Sequence, residues 1–291
     1  MMERSRHYIF FTADGELGNQ MFQASYLESI LARGDRLYAM GLEHLLEGFE
    51  WDYFDLTNIR NIPSRRYLKR LIRWAGRSAV GLGLIEGYKQ LMASFRVDGA
   101  TYHMLGGEIR HRRGLFSRIV FVDKGYFERS DIVGKGSFHL KRKFFDAPRA
   151  FLKTLPSGPV AFVHVRRGNL KPRKIFGQSP LLGPSYFVKG IEMIRAAAPD
   201  TQFVLISDSI NEVVPLFEGM GLHAFRGANM YEDLALMMLA DGGVISSSTF
   251  SLWGAYYCSR KLPVISPLNW HGVGFEFPVG ITTPWMTPIA P

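Results

Sequence analysis

Cysteine is almost missing from this chain: of 291 residues only Cys258 is one. A lone cysteine excludes an internal disulfide and a cysteine-based zinc site. Set between Tyr257 and Ser259 in an apolar stretch, it reads as a packed core thiol rather than a nucleophile. Long apolar runs are missing too. The nearest candidate, 78–85, is short and broken by Gly81 and Gly83, so no segment reads as a membrane span. The opening residues, Met-Met-Glu-Arg-Ser-Arg-His, lack the apolar core of a signal peptide, which predicts a chain that stays cytoplasmic. Internal repeats and low-complexity segments are absent as well.

Acidic residues are in deficit, 26 against 35 Lys and Arg, for a formal net charge of +9. Such a balance favours an anionic partner: nucleic acid, an anionic membrane face or a phosphorylated ligand. The excess is concentrated. From Arg60 to Arg77 there are seven basic residues and no acidic one, interleaved with Leu68, Leu71, Ile72 and Trp74. On a helix this pattern suits peripheral contact with an anionic leaflet. It equally suits a solvated helix packed on its own domain. Nucleic acid is not expected, because no nucleic-acid motif is present and aromatics do not alternate with basic residues.

What is present is a globular composition, 47% hydrophobic and 21% charged, long enough for one large or two modest α/β domains. Residues Tyr8 to Thr12 read as a short buried strand, 14–18 as a turn, and Asn19 to Ala32 as a helix ended by Gly34. Strand, glycine turn, helix is how a doubly wound domain begins. The stretch 41–143 shows one clear strand, Ile119 to Val122, and a linker or boundary helix follows over 144–156. Beyond it β and α alternate at short intervals. Strands are expected at 159–165, 202–206, 223–226, 243–246 and 262–265. Helices are expected from Ser185, as a cap, to Ala198, then over 211–220, 232–240 and 249–258. The expected architecture is two domains, 1–150 and 151–291, the second a parallel Rossmann-like sheet. Ligands of such sheets sit beyond the carboxyl ends of the strands, which selects the loops to read.

Three loops stand out. His164-Val165-Arg166-Arg167-Gly168-Asn169 puts two arginines at a buried strand's end, where a guanidinium can grip a diphosphate bidentately. Ser246-Ser247-Ser248-Thr249-Phe250-Ser251 joins a strand to a helix, so hydroxyls and free backbone N–H groups converge on one point, an anion site. A plain helix cap would need only one of these hydroxyls. Gly15 to Gln20 is a third strand-to-helix turn, where glycines admit close approach and the amides of Asn19 and Gln20 can read hydroxyls. The chain contains no Asp-x-Asp pair, the arrangement that suits Mg²⁺-dependent nucleotide-sugar transfer. Arginine and a helix N-terminus could stabilise a departing diphosphate instead, so no metal and no cofactor are expected.

At these residues the sequence resembles the α-1,2-fucosyltransferases of glycosyltransferase family 11. Gly15 to Gln23 (GELGNQMFQ) is similar to their N-terminal G-G-L-G-N-Q-M-F-Q motif. His164 to Asn169 resembles H-x-R-R-x-D, Phe203 to Asp208 resembles F-x-x-F-S-D, and Tyr231 to Tyr256 resembles the E-D-L-x-L-M…I-x-N-S-T-F-S-W-W-G-A block. The resemblance implies a GT-B fold, with an acceptor-side first domain and a GDP-sugar-binding second one. It implies GDP-fucose as donor and inversion at the fucose anomeric carbon. Arg166 would bind the β-phosphate with His164 beside it. Gly18 and Asn19 would lie near the donor sugar, and Asp208 would orient the nucleotide or ribose. Ser247, Ser248, Thr249 and Phe250 would hold the diphosphate, and Tyr231, Glu232 and Asp233 would sit toward the guanosine. Asp233 reads equally as a helix-start residue. The acceptor implied is a galactose-terminated oligosaccharide of a surface glycan such as O-antigen or capsule; if it is lipid-linked, the basic stretch would meet the membrane.

Four substitutions qualify the match. Asn169 stands where the motif has aspartate, and an amide cannot act as a base at neutral pH. Ser247 and Leu252 replace an asparagine and a tryptophan, and Glu16 replaces a glycine. Arg166, Ser248 and Thr249 of the donor-phosphate grip match the motifs, so the acceptor chemistry is the part most in question. Rival readings are a GT-B transferase of another linkage or GDP-sugar, a non-catalytic GDP- or glycan-binding protein, and a basic nucleic-acid binder.

Overall fold

Short runs rich in β-branched and aromatic residues, each closed by a turn, become strands, and amphipathic stretches between them become helices. The computed structural model describes residues 8–13, 15–31, 35–51, 59–62, 119–122, 128–172, 174, 177–270, 281 and 283–291. The chain divides into two units, Met1–Phe127 with Lys135–Phe138, and Glu128–Gly134 with His139–Pro291.

In the first unit the strands β1 (Tyr8–Thr12), β2 (Arg36–Met40), β4 (Ile59–Ile62) and β5 (Ile119–Val122) form a parallel sheet in the order β4-β2-β1-β5. Helix α1 (Leu17–Ile30) follows β1, and α2 (Glu43–Gly48) and the short strand β3 (Phe49–Trp51) follow β2. Of the apolar side expected for α1, Met21, Phe22, Tyr26, Leu27 and Leu31 are buried and Ile30 is half-buried. The helix starts two residues earlier than expected and gives way at Leu31, whose backbone is extended. Gly34, expected to end it, lies outside the described residues, as does most of the basic run. Arg60, expected on a helix, lies instead on β4.

Strand β6 (Phe138–Leu140) is followed by a 3₁₀ turn (Arg142–Phe145) and α3 (Asp146–Leu152) where a linker or boundary helix was expected. The second unit holds β7 (Val160–Val165), β8 (Gln202–Ser207), β9 (Leu222–Ala224), β10 (Gly242–Val244), β11 (Val264–Pro267) and β12 (Met286–Ile289). All pair parallel, in the order β12-β11-β10-β7-β8-β9. Winding runs outward from β7 to β9, returns to β10 beside β7, and continues to β12. This is the doubly wound order, and the winding reverses between β7 and β10. The first unit, over its four strands, reverses in the same way between β1 and β5.

Helix α4 (Pro184–Ala197) buries Tyr186, Phe187, Gly190, Ile191 and Ile194 on one face, and the core joins them to Val163, Val165, Phe203, Leu205, Val244 and Ile265. Its N-cap position is Gly183, with Pro184 in the first turn, so the cap expected at Ser185 is displaced by the proline, whose fixed φ suits a helix start. The helix expected over 211–220 is cut to α5 (Ile210–Val213) and a 3₁₀ turn, Val214–Phe217; Pro215 lacks the N–H that would continue it. Helices α6 (Met230–Leu239) and α7 (Thr249–Tyr257) complete the unit. Strand β12 was not expected; it contains Pro288, a residue tolerated in strands at the rim of a sheet.

Candidate functional site

The reversal point between β7 and β10 gathers the residues singled out in the second unit. Beyond the last ladder pair, Val163 with Val244, the Ser246 hydroxyl accepts the Arg166 N–H at 2.9 Å and donates to the His164 carbonyl at 2.7 Å. On the other flank, Ser207 Oγ donates to the Val165 carbonyl at 2.7 Å and accepts the Ser209 N–H at 3.0 Å. Asp208 spends both carboxylate oxygens on the arginine turn. Oδ1 accepts the Arg167 N–H at 2.9 Å, and Oδ2 lies 3.1 Å from Arg166 Nη1. Gly168 closes the turn against this carboxylate: a Cβ there would stand 2.4 Å from Asp208 Oδ2. Asn169 lies in the 3₁₀ turn Gly168–Leu170; its side chain is outside the described atoms. Lys171 Nζ, at 2.6 Å from both Glu212 oxygens, ties the end of this turn to α5 and holds the Glu212 carboxyl below its ordinary range.

The serine loop crosses to α7. Ser248 occupies the N-cap position, yet its side chain makes no capping hydrogen bond. The Ser248 N–H turns back to the Ser246 carbonyl at 2.8 Å, and Ser251 Oγ donates to the Ser248 carbonyl at 3.2 Å. Thr249 opens α7, and the ring of Phe250 lies 5.7 Å from that of His164. Tyr186 supports the loop from below. Its buried hydroxyl donates to the Ile245 carbonyl at 2.9 Å, and burial pushes its pKa up.

Three polar atoms here are buried without a hydrogen-bond partner: His164 Nδ1, Arg167 Nε and Ser247 Oγ. Buried polar groups are nearly always satisfied in native proteins, so orphans call for a missing partner. His164 is 2% exposed; burial, with the Arg166 charge next, pulls its pKa to about 3. Its imidazole is therefore neutral at physiological pH, leaving Arg166 and Arg167, with the Asp208 carboxylate, as the charges at this strand end. The arrangement offers a cation, a helix N-terminus and unfilled hydrogen-bonding atoms, which together suit a phosphate ester.

The GDP-side residues of the family resemblance fare differently. Tyr231 is buried with its ring 4.7 Å from that of Phe144. Asp233 Oδ1 accepts the Gly227 N–H at 3.2 Å and Glu232 Oε2 the Ala228 N–H at 2.8 Å. The helix-start reading of Asp233 thus has a partner in the structure. Burial raises its pKa to about 6, against the Gly227 bond, with the Glu232 charge adding to the rise.

In the first unit Gly15 has φ +85, and a Cβ there would meet Asn19 Nδ2 at 2.4 Å, so the turn after β1 demands glycine. Gln20, expected to read hydroxyls, is instead structural. It is buried, donating Nε2 to the Gly15 carbonyl at 3.2 Å and accepting the Leu45 N–H at 3.0 Å. Gly18 is buried in the first turn of α1, and Asn19 is half-buried with its N–H on the Glu16 carbonyl at 3.0 Å. Glu16 Oε2 lies 3.4 Å from His44 Nε2. Ser246, read in the sequence as part of an anion-binding loop, is instead spent on the β7 backbone; Tyr186 is a structural contributor that nothing in the sequence marked.

The model for glycosyl transferase family 11 matches residues 101–278. The chain belongs to glycosyl transferase family 11. No curated protein sequence matches this family 11 chain. Among solved structures, a glycosyl transferase of family 9 from Veillonella parvula DSM 2008 aligns with TM-score 0.52 and 13% identity, covering 98% of this chain and 85% of that one. E. coli ADP-heptose lps heptosyltransferase II gives TM-score 0.47 and 11% identity over 97% and 87%. POFUT1 in complex with GDP-fucose gives 0.44 and 14% over 91% and 99%. The fold is of the GT-B class, and this family 11 protein is a glycosyltransferase that uses a nucleotide sugar.

Proposed function

We propose that the protein is an inverting fucosyltransferase that uses GDP-fucose and forms an α-1,2 linkage to a galactoside. The observation that carries the reading is the group of orphaned buried atoms, His164 Nδ1, Arg167 Nε and Ser247 Oγ, beside Arg166 at the reversal point of the second sheet. The motif resemblance around these residues supplies fucose and GDP. The acceptor hydroxyl attacks fucose C1 from the face opposite GDP. Charge builds on the leaving diphosphate, where Arg166 and the N-terminus of α7 neutralise it. A neutral His164 donates or accepts one hydrogen bond without adding charge. Asn169 cannot take the acceptor proton, so the base lies elsewhere. The step is proposed to need no metal. The acceptor is proposed to be a growing surface glycan at the cytoplasmic face, with the basic stretch 60–77, most of it outside the described residues, as the membrane contact.

The test is a thermal-shift screen of GDP-sugars, then donor turnover with and without EDTA, for wild type and Arg166→Ala. GDP and GDP-fucose should raise the melting temperature, and turnover should survive EDTA. Arg166→Ala should cut kcat by roughly 10²- to 10³-fold, as for loss of one preorganised charge-stabilising group. Near-normal turnover in that variant would sink the diphosphate grip. GDP binding without transfer to any galactoside would favour the non-catalytic reading, for which Asn169 is the motive. Preference for another GDP-sugar would move the donor assignment.

A further inference from the structure

We infer that Ser246 is a positioning residue for Arg166, acting as a side-chain rung that extends the sheet past its last backbone pair. This rests on the diphosphate-grip reading and adds to it a residue that does not touch the ligand. The backbone ladder between β7 and β10 stops at Val163 and Val244. One residue beyond, the His164 carbonyl has no β10 amide to meet, nor does the Arg166 N–H meet a β10 carbonyl. The Ser246 hydroxyl serves both, donating at 2.7 Å and accepting at 2.9 Å. Ser246 is 3% exposed, and its single proton is committed to the His164 carbonyl. It therefore acts through the backbone of Arg166 rather than on a phosphate oxygen.

The other flank already has its own clamp. Asp208 holds the Arg167 N–H and the Arg166 guanidinium, and Ser207 holds the Val165 carbonyl. Arg166 is thus gripped at its side chain from β8 and at its backbone from the β10 side. Without the Ser246 hydroxyl, the Arg166 Cα can move toward the β8 flank while the Asp208 pair stays intact. The cation would then be present but displaced from a diphosphate seated on α7. Displacements of this kind cost rate more than affinity, because the transition state is the more demanding of geometry.

The experiment is a double-mutant cycle of Ser246→Ala with Arg166→Lys, with Ser246→Thr as rescue, reading donor kcat and KM together with thermal melts. Ser246→Ala should lower kcat by roughly 10- to 100-fold and change donor KM by less than about threefold. Ser246→Thr, which keeps the hydroxyl, should retain most of the rate. In the Arg166→Lys background the Ser246→Ala loss should shrink clearly, since the rigid guanidinium fork it positions is replaced by a point charge on a flexible stem. If Ser246→Ala does not fold, Ser246→Cys takes its place with the same expected dependence on Arg166. An additive cycle overturns the proposal, as does a Thr variant as slow as Ala at an unchanged melting temperature. If wild type binds GDP but turns over no donor in the presence of a galactoside, there is no rate for Ser246 to support and the proposal falls. Absence of any GDP response in wild type sinks the diphosphate reading and this residue with it, whereas a responsive wild type with an additive cycle sinks Ser246 alone.

Discussion

Two helices of the second unit begin in opposite ways. At α6 every signal is spent on closing the end. Asn229 Oδ1 accepts the Tyr231 and Glu232 N–H groups at 3.0 and 3.1 Å, and the Glu232 and Asp233 carboxylates take up Ala228 and Gly227. At α7 three serines precede the first turn, and none of them caps it. Ser246 is committed to β7, Ser247 Oγ is buried without a partner, and Ser248 only occupies the N-cap position. Capping residues are worth about 1 kcal/mol each when they cap. On the proposed donor grip, the closed end of α6 is structural and the start of α7 is left for the ligand.

The largest effect expected from this contrast is a pH response of opposite sign at the two ends. His164, beside the open end, is neutral when folded down to about pH 3, whereas unfolded it takes a proton near 6.5. The unfolded chain therefore binds more protons between these values. Stability present above pH 6.5 is lost as pH falls toward 3, by about 3–5 kcal/mol at the limit. Urea midpoints from pH 7 to 4 should show this slope, and His164→Asn should flatten it; an unchanged slope would remove the buried neutral imidazole from the argument. Next in size is Asp233 at the closed end. Folded, it keeps its proton up to about pH 6, against 3.8 when unfolded, so its contribution declines as pH rises between those values. Asp233→Asn can still accept from Gly227, and should stabilise the protein by about 1–2 kcal/mol above pH 6.5 with no effect at pH 3.5. Equal gains at both pH values would show that charge is not the cause.

The smallest effect is also the most direct comparison. Asn229→Ala should cost about 1 kcal/mol of stability and leave GDP affinity unchanged. Ser248→Ala should stay within about 0.5 kcal/mol of wild type and weaken GDP about tenfold. Chemical denaturation with calorimetric GDP titration measures both. Matching destabilisation in the two variants would erase the distinction between closed and open helix starts.

Much of this contrast was readable before any coordinates. The alternation of apolar strands and periodic helices placed β7, β8 and α7 to within a residue or two, because their periods are clean and their ends are marked by glycine, proline and polar runs. Arg166 and the serine run stood out for the same reason: polar residues directly after a buried strand. The start of α6 was legible and missed, since Asn229 with Glu232 three residues on is a capping pair, and the helix was begun at Glu232 instead. The 211–220 helix failed because Pro215 outweighs the apolar spacing around it. Ser246 and Gln20 stood out in their loops, but their partners were beyond the reach of local pattern: these lie 82 and 25 residues away in the chain, and no spacing rule spans such distances. Local grammar located the strand ends, and only the folded chain showed which hydroxyls and amides were already taken.

Pro288 has a consequence away from the ligand end. Among the described residues β12 is the outermost strand on its side of the six-stranded sheet, and Pro288 sits within it opposite Ser266. A rim strand with every amide hydrogen available is a template on which a foreign strand can grow. A ring nitrogen in the middle of four residues interrupts that template halfway. This single imino acid therefore works against strand-on-strand growth along that border.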